Sequence, residues 1–247
     1  MKSNIVAIIQ ARMGSSRLPG KVLMEVEGVP LLEIMMCRVE RSEMLNEIVI
    51  ATSSLPIDDQ IEEFCQEKGY ECFRGSENDV LSRYFHCATQ YHADVIVRLT
   101  GDCPLIDPEI IDNVIHFYTE QDVDYASNTV PPQTGTFPDG SDVEVFSMKA
   151  LTKAHNKAKD LKDLEHVTFI FWKSDNGFST AQYHNDANWS DYRITVDYPE
   201  DFIVIEYLVR TINLRQVFGK LAELISLIDE NPSIKDINSL YSFGQKW

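Results

Sequence analysis

Short apolar runs alternate along the chain with stretches whose apolar residues recur every three to four positions. Residues 5–10, Ile-Val-Ala-Ile-Ile-Gln, are apolar almost throughout, the pattern of a buried strand. Similar runs at 48–52, 70–73 and 95–99 predict three more strands. Between them, residues 31–41, 57–68, 80–91 and 107–119 carry helical periodicity. In 57–68, Ile57, Ile61, Phe64 and Cys65 share one face, with Pro56 at the start and Gly69 at the end, where each is favoured. This β-α-β-α order predicts a three-layer α/β fold, a mostly parallel sheet between two layers of helices in a Rossmann-like arrangement. Right-handed crossovers then gather the strand C-termini at one edge, where ligands bind in such sheets.

The second half is less regular. Pro131, Pro132, Gly135, Pro138 and Gly140 mark residues 128–140 as a loop or excursion. Residues 141–146 place Val143 and Val145 on one face and Asp142 and Glu144 on the other, a half-exposed strand. A basic helix over 148–159, a strongly apolar run at 167–172, a strand at 192–196 and helices at 199–211 and 221–229 follow. There is no internal repeat, low-complexity tract or clear linker.

With 44% apolar and 25% charged residues, the composition is that of a soluble globular protein. No apolar run approaches the roughly 20 residues that cross a bilayer, and residues 5–9 are too short for a signal peptide, so a cytoplasmic location without membrane insertion is expected. Five cysteines form no CxxC pair and no Cys/His ligand spacing, which points to free thiols in a reducing compartment. A formal charge of −17 disfavours nucleic-acid and anionic-membrane partners. Any polyphosphate ligand must therefore meet a local cluster of cations.

Such a cluster follows the first strand. Gln10-Ala11-Arg12-Met13-Gly14-Ser15-Ser16-Arg17-Leu18-Pro19-Gly20-Lys21 carries three cations and no acid. Gly14 and Gly20 permit close backbone approach and unusual dihedrals, and Ser15 and Ser16 add hydroxyls and amides. Guanidinium forks and loop amides suit phosphate oxygens. Five residues separate the two glycines and Val22 follows Lys21, so this is not a Walker A loop. A basic surface turn would explain Arg12 or Arg17 alone, but not the whole set directly behind a buried strand.

A second unusual loop, Thr100-Gly101-Asp102-Cys103-Pro104, follows the strand at 95–99. Asp102 stands where a strand-end carboxylate can enter the cleft, and Asp197 has the same placement after 192–196. Mg²⁺ takes one or two protein carboxylates and completes its shell with water and phosphate oxygens. Asp107, before Pro108, and Asp201 read as helix-start acids, and Asp197 could also be a cap.

These residues resemble a known family. Residues 8–21 are similar to the opening signature of the cytidylyltransferases that make CMP-linked acidic sugars, and within that superfamily the chain most resembles the spore coat polysaccharide biosynthesis protein F group. Further matches are Arg74-Gly75-Ser76, Asp79-Val80-Leu81-Ser82-Arg83-Tyr84, residues 97–107, Asp142-Val143-Glu144-Val145-Phe146 and Glu165-His166-Val167-Thr168. The resemblance implies a single nucleotidyltransferase domain over 1–247 with the nucleotide-diphospho-sugar transferase-like fold, Mg²⁺ dependence and a homodimer, with the excursion around 128–175 a place for dimerisation. It also implies transfer of CMP from CTP to a sugar or acidic sugar in surface polysaccharide biosynthesis. Ala11, Arg12, Gly14, Ser15, Arg17, Lys21, Thr100 and Gly101 would hold the nucleotide, Asp102 and Asp197 the metal, and Arg17, Lys21 and Asp102 would act in catalysis. Arg74, Asp79, Arg83, Glu144 and His166 would face the acceptor, although Asp79 and Arg83 also have the spacing of an exposed helical ion pair. Thr100 stands where acidic-sugar enzymes often have Gln, Leu164 where relatives of the spore coat group have Arg, and Ser141 where they have Leu.

Three other readings compete: a sugar-1-phosphate nucleotidyltransferase using another nucleoside triphosphate, a glycosyltransferase, and a non-catalytic module keeping the nucleotide fold. Asp122-Val123-Asp124 fits the Asp-x-Asp metal pattern of glycosyltransferases but lies in an acidic helix-to-strand connection.

Overall fold

The computed structural model describes residues 3–172, 176–216 and 218–241. The strands are β1 (Ile5–Gln10), β2 (Glu25–Val26), β3 (Val29–Pro30), β4 (Glu47–Ser53), β5 (Glu71–Gly75), β6 (Val95–Thr100), β7 (Tyr125–Ser127), β8 (Glu144–Ser147) and β9 (Thr180–Gln182). The helices are α1 (Leu31–Val39), α2 (Asp59–Lys68), α3 (Val80–Gln90), α4 (Pro108–Glu120), α5 (Met148–Lys157), α6 (Leu161–His166), α7 (Phe169–Trp172), α8 (Pro199–Arg215), α9 (Leu221–Glu230) and α10 (Pro232–Ile237).

The main sheet has seven strands in the order β5-β4-β1-β6-β8-β7-β9. β5, β4, β1 and β6 run parallel, whereas β8 is antiparallel to both β6 and β7. Strand order reverses at β1, which pairs with β4 on one side and β6 on the other. The crevice outside the C-termini of β1 and β6 is therefore the switch point of the sheet. Gln10 and Thr100 stand opposite each other at its mouth.

The apolar run of β1 is explained by burial on both faces. Ile5, Ala7 and Ile9 enter a core with α1, α2 and α4, while Val6 and Ile8 enter a second core with α3, α5 and α7. These are the expected helix layers. A third core joins Ile194 and Val196 to α8 and α9. Among the described residues, no helix is long and apolar enough to cross a membrane.

Several local expectations change. Residues 192–196 form no ladder: Arg193 makes an isolated bridge to Asp139, and Ile194 and Val196 donate to the carbonyls of Asp139 and Asp102. Their alternation reflects burial against α8 and α9 rather than pairing in the sheet. The strand expected over 141–146 begins only at Glu144, because the Asn128 side chain occupies the backbone groups before it, donating to Ser141 O and accepting from Val143 N. Nor is β8 half-exposed, since Glu144 is buried as well as Val145. The excursion around 128–175 contains β8, α5, α6 and α7, and its residues 173–175 lie outside the described ones. The two-residue strands β2 and β3 and the short α6 and α10 are too brief to show a period.

Candidate active site

The loop after β1 is closed by its own backbone. Gly20 N donates to Met13 O at 2.9 Å, and Gly20 sits at φ 73°, the left-handed region that glycine enters without a Cβ penalty. Gly14 is not left-handed. Met13 N donates at 2.7 Å to Oδ1 of the buried Asp58, whose other oxygen accepts from Ser53 Oγ. The loop is thereby pinned to the end of β4. Among the described residues, the amides of Gly14, Ser16 and Arg17 have no protein acceptor. Opposite, Gly101 N donates to Gln10 O at 2.9 Å, and a Cβ on Gly101 would lie 3.2 Å from both Gln10 O and the Ala11 Cβ. Any larger residue would push the two strand ends apart.

Between these loops, cations meet carboxylates drawn from distant segments. Lys21 Nζ donates to Asp102 Oδ2 at 2.9 Å and Asp197 Oδ1 at 2.6 Å, and Arg17 holds Asp197 Oδ2 at 2.6 Å. Arg17 also lies 5.2 Å from the centroid of the Tyr198 ring, and Arg12 pairs with Glu77 at 3.0 Å. Burial opposes the charge on Lys21, but Asp102 and Asp197 outweigh it and raise its pKa above the ordinary value. Burial likewise opposes the charge on Asp102, yet Lys21 and the Thr100 hydroxyl hold its pKa at about 2, below the usual 3.8. Asp197 is oriented from behind. Buried Asp201 accepts from Asp197 N at 2.9 Å and Tyr198 N at 3.0 Å, and holds Arg193 through two bonds of 2.8 and 2.9 Å. Asp201 is thus a helix-start acid, as is Asp107, which accepts from Glu109 N. Asp197 itself faces the cleft.

The resulting cavity, about 190 Å³, is lined by the loop together with Val80, Arg83, Thr100, Gly101, Glu165 and His166. Its far wall turns sharply. Val167 lies at φ 54°, ψ −57°, and Thr168 N donates to the His166 carbonyl across it. A β-branched residue in that region is strained, a feature concentrated at functional sites. Thr168 Oγ1 ties the turn to Glu144 Oε1 at 3.3 Å, and the His166 ring stacks on Phe169 at 4.3 Å. Burial lowers the pKa of His166, with Glu165 only partly opposing, so the imidazole is neutral near pH 7.

Of the residues singled out from the sequence, Ala11, Arg12, Ser15, Arg17, Lys21, Thr100, Gly101, Asp102, Asp197, Arg83 and His166 line this cavity. Three residues expected to face the acceptor have protein partners and do not line this cavity. Arg74 spends its guanidinium on Ser53 O, Leu55 O, Asp59 and Glu62. Asp79 caps α3 by accepting from Ser82 N. Glu144 is buried in an ion pair with Arg98 at 2.8 Å, because the register of β8 against β6 sets the two residues opposite each other. Nor do Asp79 and Arg83 form an exposed pair: Arg83 is 2% exposed and donates to Ser76 O. Asp124 of the Asp-x-Asp pattern accepts from Ser179 N and Oγ, outside the cleft lining.

The sequence offered little warning of Asp58, Glu77, Val80 or the Asp201–Arg193 pair. Asp58 lies at the start of the helix expected over 57–68, and only its contact with Met13 reveals its part in the loop.

An open α/β sheet with a cationic, glycine-bounded loop facing the carboxylates of Asp102 and Asp197 at its switch point has the form of a nucleotidyltransferase site. The chain belongs to the cytidylyltransferase family, whose model matches residues 6–219. It is 35% identical to the spore coat polysaccharide biosynthesis protein SpsF of Bacillus subtilis, over 93% of this chain and 96% of that protein. A cytidylyltransferase structure from Leptospira borgpetersenii superposes with a TM-score of 0.84 at 32% identity, covering 95% of this chain and 96% of that one. CMP:2-keto-3-deoxy-manno-octonic acid synthetase complexed with CTP shares the fold, with a TM-score of 0.64 at 17% identity over 85% of this chain and 99% of that one.

Proposed function

We propose that this cytidylyltransferase transfers CMP from CTP to a sugar or acidic sugar with release of pyrophosphate, in the cytoplasm and as a homodimer, for surface polysaccharide biosynthesis. The observation that carries the reading is the convergence of Arg17 and Lys21 on Asp102 and Asp197 at the floor of the cleft. Two carboxylates with oxygens within hydrogen-bonding reach of one ammonium already meet at a single cation position, which fits a divalent metal. Asp102 and Asp197 would hold Mg²⁺, which supplies charge neutralisation to phosphate oxygens.

The chain's own residues do the remainder. Arg12, Ser15, Arg17 and the open amides of Gly14, Ser16 and Arg17 bind the triphosphate. A sugar oxygen attacks the α-phosphorus, forming one P–O bond as the bond to the β-phosphate oxygen breaks and pyrophosphate leaves. Such transfer depends chiefly on positioning and electrostatic stabilisation, which Lys21 and Arg17 provide to the transferring and leaving phosphates. At an effective dielectric near 20, unit charges 4 Å apart interact by roughly 4 kcal/mol, so each cation matters. His166 and Arg83 face the acceptor, and neutral His166 can take the proton of an attacking hydroxyl, whereas an acceptor phosphate needs no base.

The test is pyrophosphate release from each of four nucleoside triphosphates with Mg²⁺ and a panel of sugars. CTP should be preferred, and Asp102→Ala and Lys21→Ala should each lose release while keeping the wild-type circular dichroism. Undiminished release in both variants refutes the site, and preference for another triphosphate refutes the nucleotide. Product identification by mass separates nucleotidyl from glycosyl transfer.

A further inference from the structure

The proposed chemistry gives Lys21 more work than one ammonium can do at once. Its side chain is 11% exposed and bridges Asp102 and Asp197, carboxylates from two different segments, while Arg17 takes the other Asp197 oxygen. The two carboxylates read as metal ligands are thus already neutralised, from inside the protein, by cations of the phosphate loop. A divalent cation held by the same carboxylates and the Lys21 ammonium contest one place. We infer that Lys21 is the internal occupant of the metal position. It holds the cation place between Asp102 and Asp197 when no nucleotide is bound and leaves it for the triphosphate. A divalent metal therefore gains both carboxylates only together with the nucleotide. The inference rests on the reading of Asp102 and Asp197 as the metal pair.

Three observations support it. Lys21 is tethered beside the carboxylates, so its effective concentration there is high, whereas Mg²⁺ gives up its water reluctantly. Lys21 is also the first residue of the short 3₁₀ turn over Lys21–Leu23, directly after the loop that carries the open amides of Gly14, Ser16 and Arg17. A triphosphate seated on those amides offers the ammonium a stronger anion within reach of the same side chain. Finally, Asp201 fixes Asp197 through its own backbone amide rather than through its carboxylate. The main chain that carries the Asp197 carboxylate is therefore held independently of Lys21, and Arg17 still donates to its Oδ2. By linkage, nucleotide and metal must then tighten each other's binding reciprocally.

Mn²⁺ is the probe, with free ion followed by electron paramagnetic resonance on the full chain. Four samples are compared: wild type alone, wild type with a CTP analogue carrying a methylene in place of the α–β bridging oxygen, Lys21→Met alone and Lys21→Gln alone. Wild type alone should bind Mn²⁺ weakly. Both variants should bind it at least about tenfold tighter without nucleotide, a typical coupling, and adding Asp102→Asn should abolish the gain. In the wild type, the analogue should tighten Mn²⁺ binding by about tenfold or more beyond the metal–analogue complex formed in buffer. The melting temperature of the variants should rise with Mn²⁺ while that of wild type barely moves. Tight Mn²⁺ binding by nucleotide-free wild type, lost in Asp102→Asn, overturns the inference whether or not the variants fold. So do folded variants that bind no better than wild type; if wild type with the analogue still binds through Asp102, the metal reading survives. If neither the analogue complex nor the variants bind Mn²⁺ through Asp102, the metal pair itself is wrong.

Discussion

Replacing Glu144 separates a buried structural ion pair from a substrate contact. Its side chain is 5% exposed and that of Arg98 13%, with carboxylate oxygen and guanidinium nitrogen 2.8 Å apart in the centre of the sheet. Arg98 also donates to Gln10 Oε1 at 3.1 Å, so the pair braces both the phosphate-loop strand and, through Thr168, the turn that carries His166. Burial disfavours the charge on Arg98, and Glu144 outweighs it and raises the arginine's pKa. Removing one partner of such a pair leaves an uncompensated buried charge and costs about 3–5 kcal/mol. For a chain of this size that corresponds to a fall in melting temperature of about 6–20 °C. Glu144→Ala should show this loss in urea or thermal unfolding followed by circular dichroism. The double variant Arg98→Met with Glu144→Leu should recover most of it, because burying no charge removes the desolvation cost. Loss of less than about 1 kcal/mol in Glu144→Ala, or a double variant no better than the single, would refute the account of the pair. Full stability of Glu144→Ala with a large rise in acceptor KM would return Glu144 to the substrate.

Asp102 should make stability depend on pH. Its carboxyl ionises at about 2 in the native protein and near 3.8 otherwise, so between these values the unfolded chain binds more protons. The stabilisation is complete above 3.8 and is lost as pH falls towards 2; titrating wild type against Asp102→Asn should show the two curves converging over that interval, and parallel curves would contradict it. Asp58→Ala leaves Met13 N and Ser53 Oγ without their carboxylate, which should cost about 1–3 kcal/mol and weaken CTP binding in calorimetry. Unchanged CTP affinity would show that the loop holds its shape without this anchor.

How much was legible in the sequence follows from the range of each signal. The strand β1, the helices α2 and α4, the Asp107 cap and the cation-rich loop are all written in neighbouring residues, because strand burial, helical period, capping and loop chemistry act over a few positions. The parallel order of the first half followed from the alternation of those elements. Around 128–140 and 192–196, by contrast, side chains such as Asn128 and whole-segment burial replace regular pairing, and local pattern misled about where strands begin or whether they exist.

The partners of the loop were decided only in three dimensions. Sequence placed Arg12, Arg17 and Lys21 together with no acid among them; folding brought Glu77, Asp197 and Asp102 to meet them. Folding likewise set Arg74 and Glu144, expected to face the acceptor, into ion pairs with Asp59, Glu62 and Arg98. A charge on a motif states what chemistry is available. Which counter-charge it finds depends on the crossing of strands far apart in the chain, since burial penalises every charge that the fold does not pair.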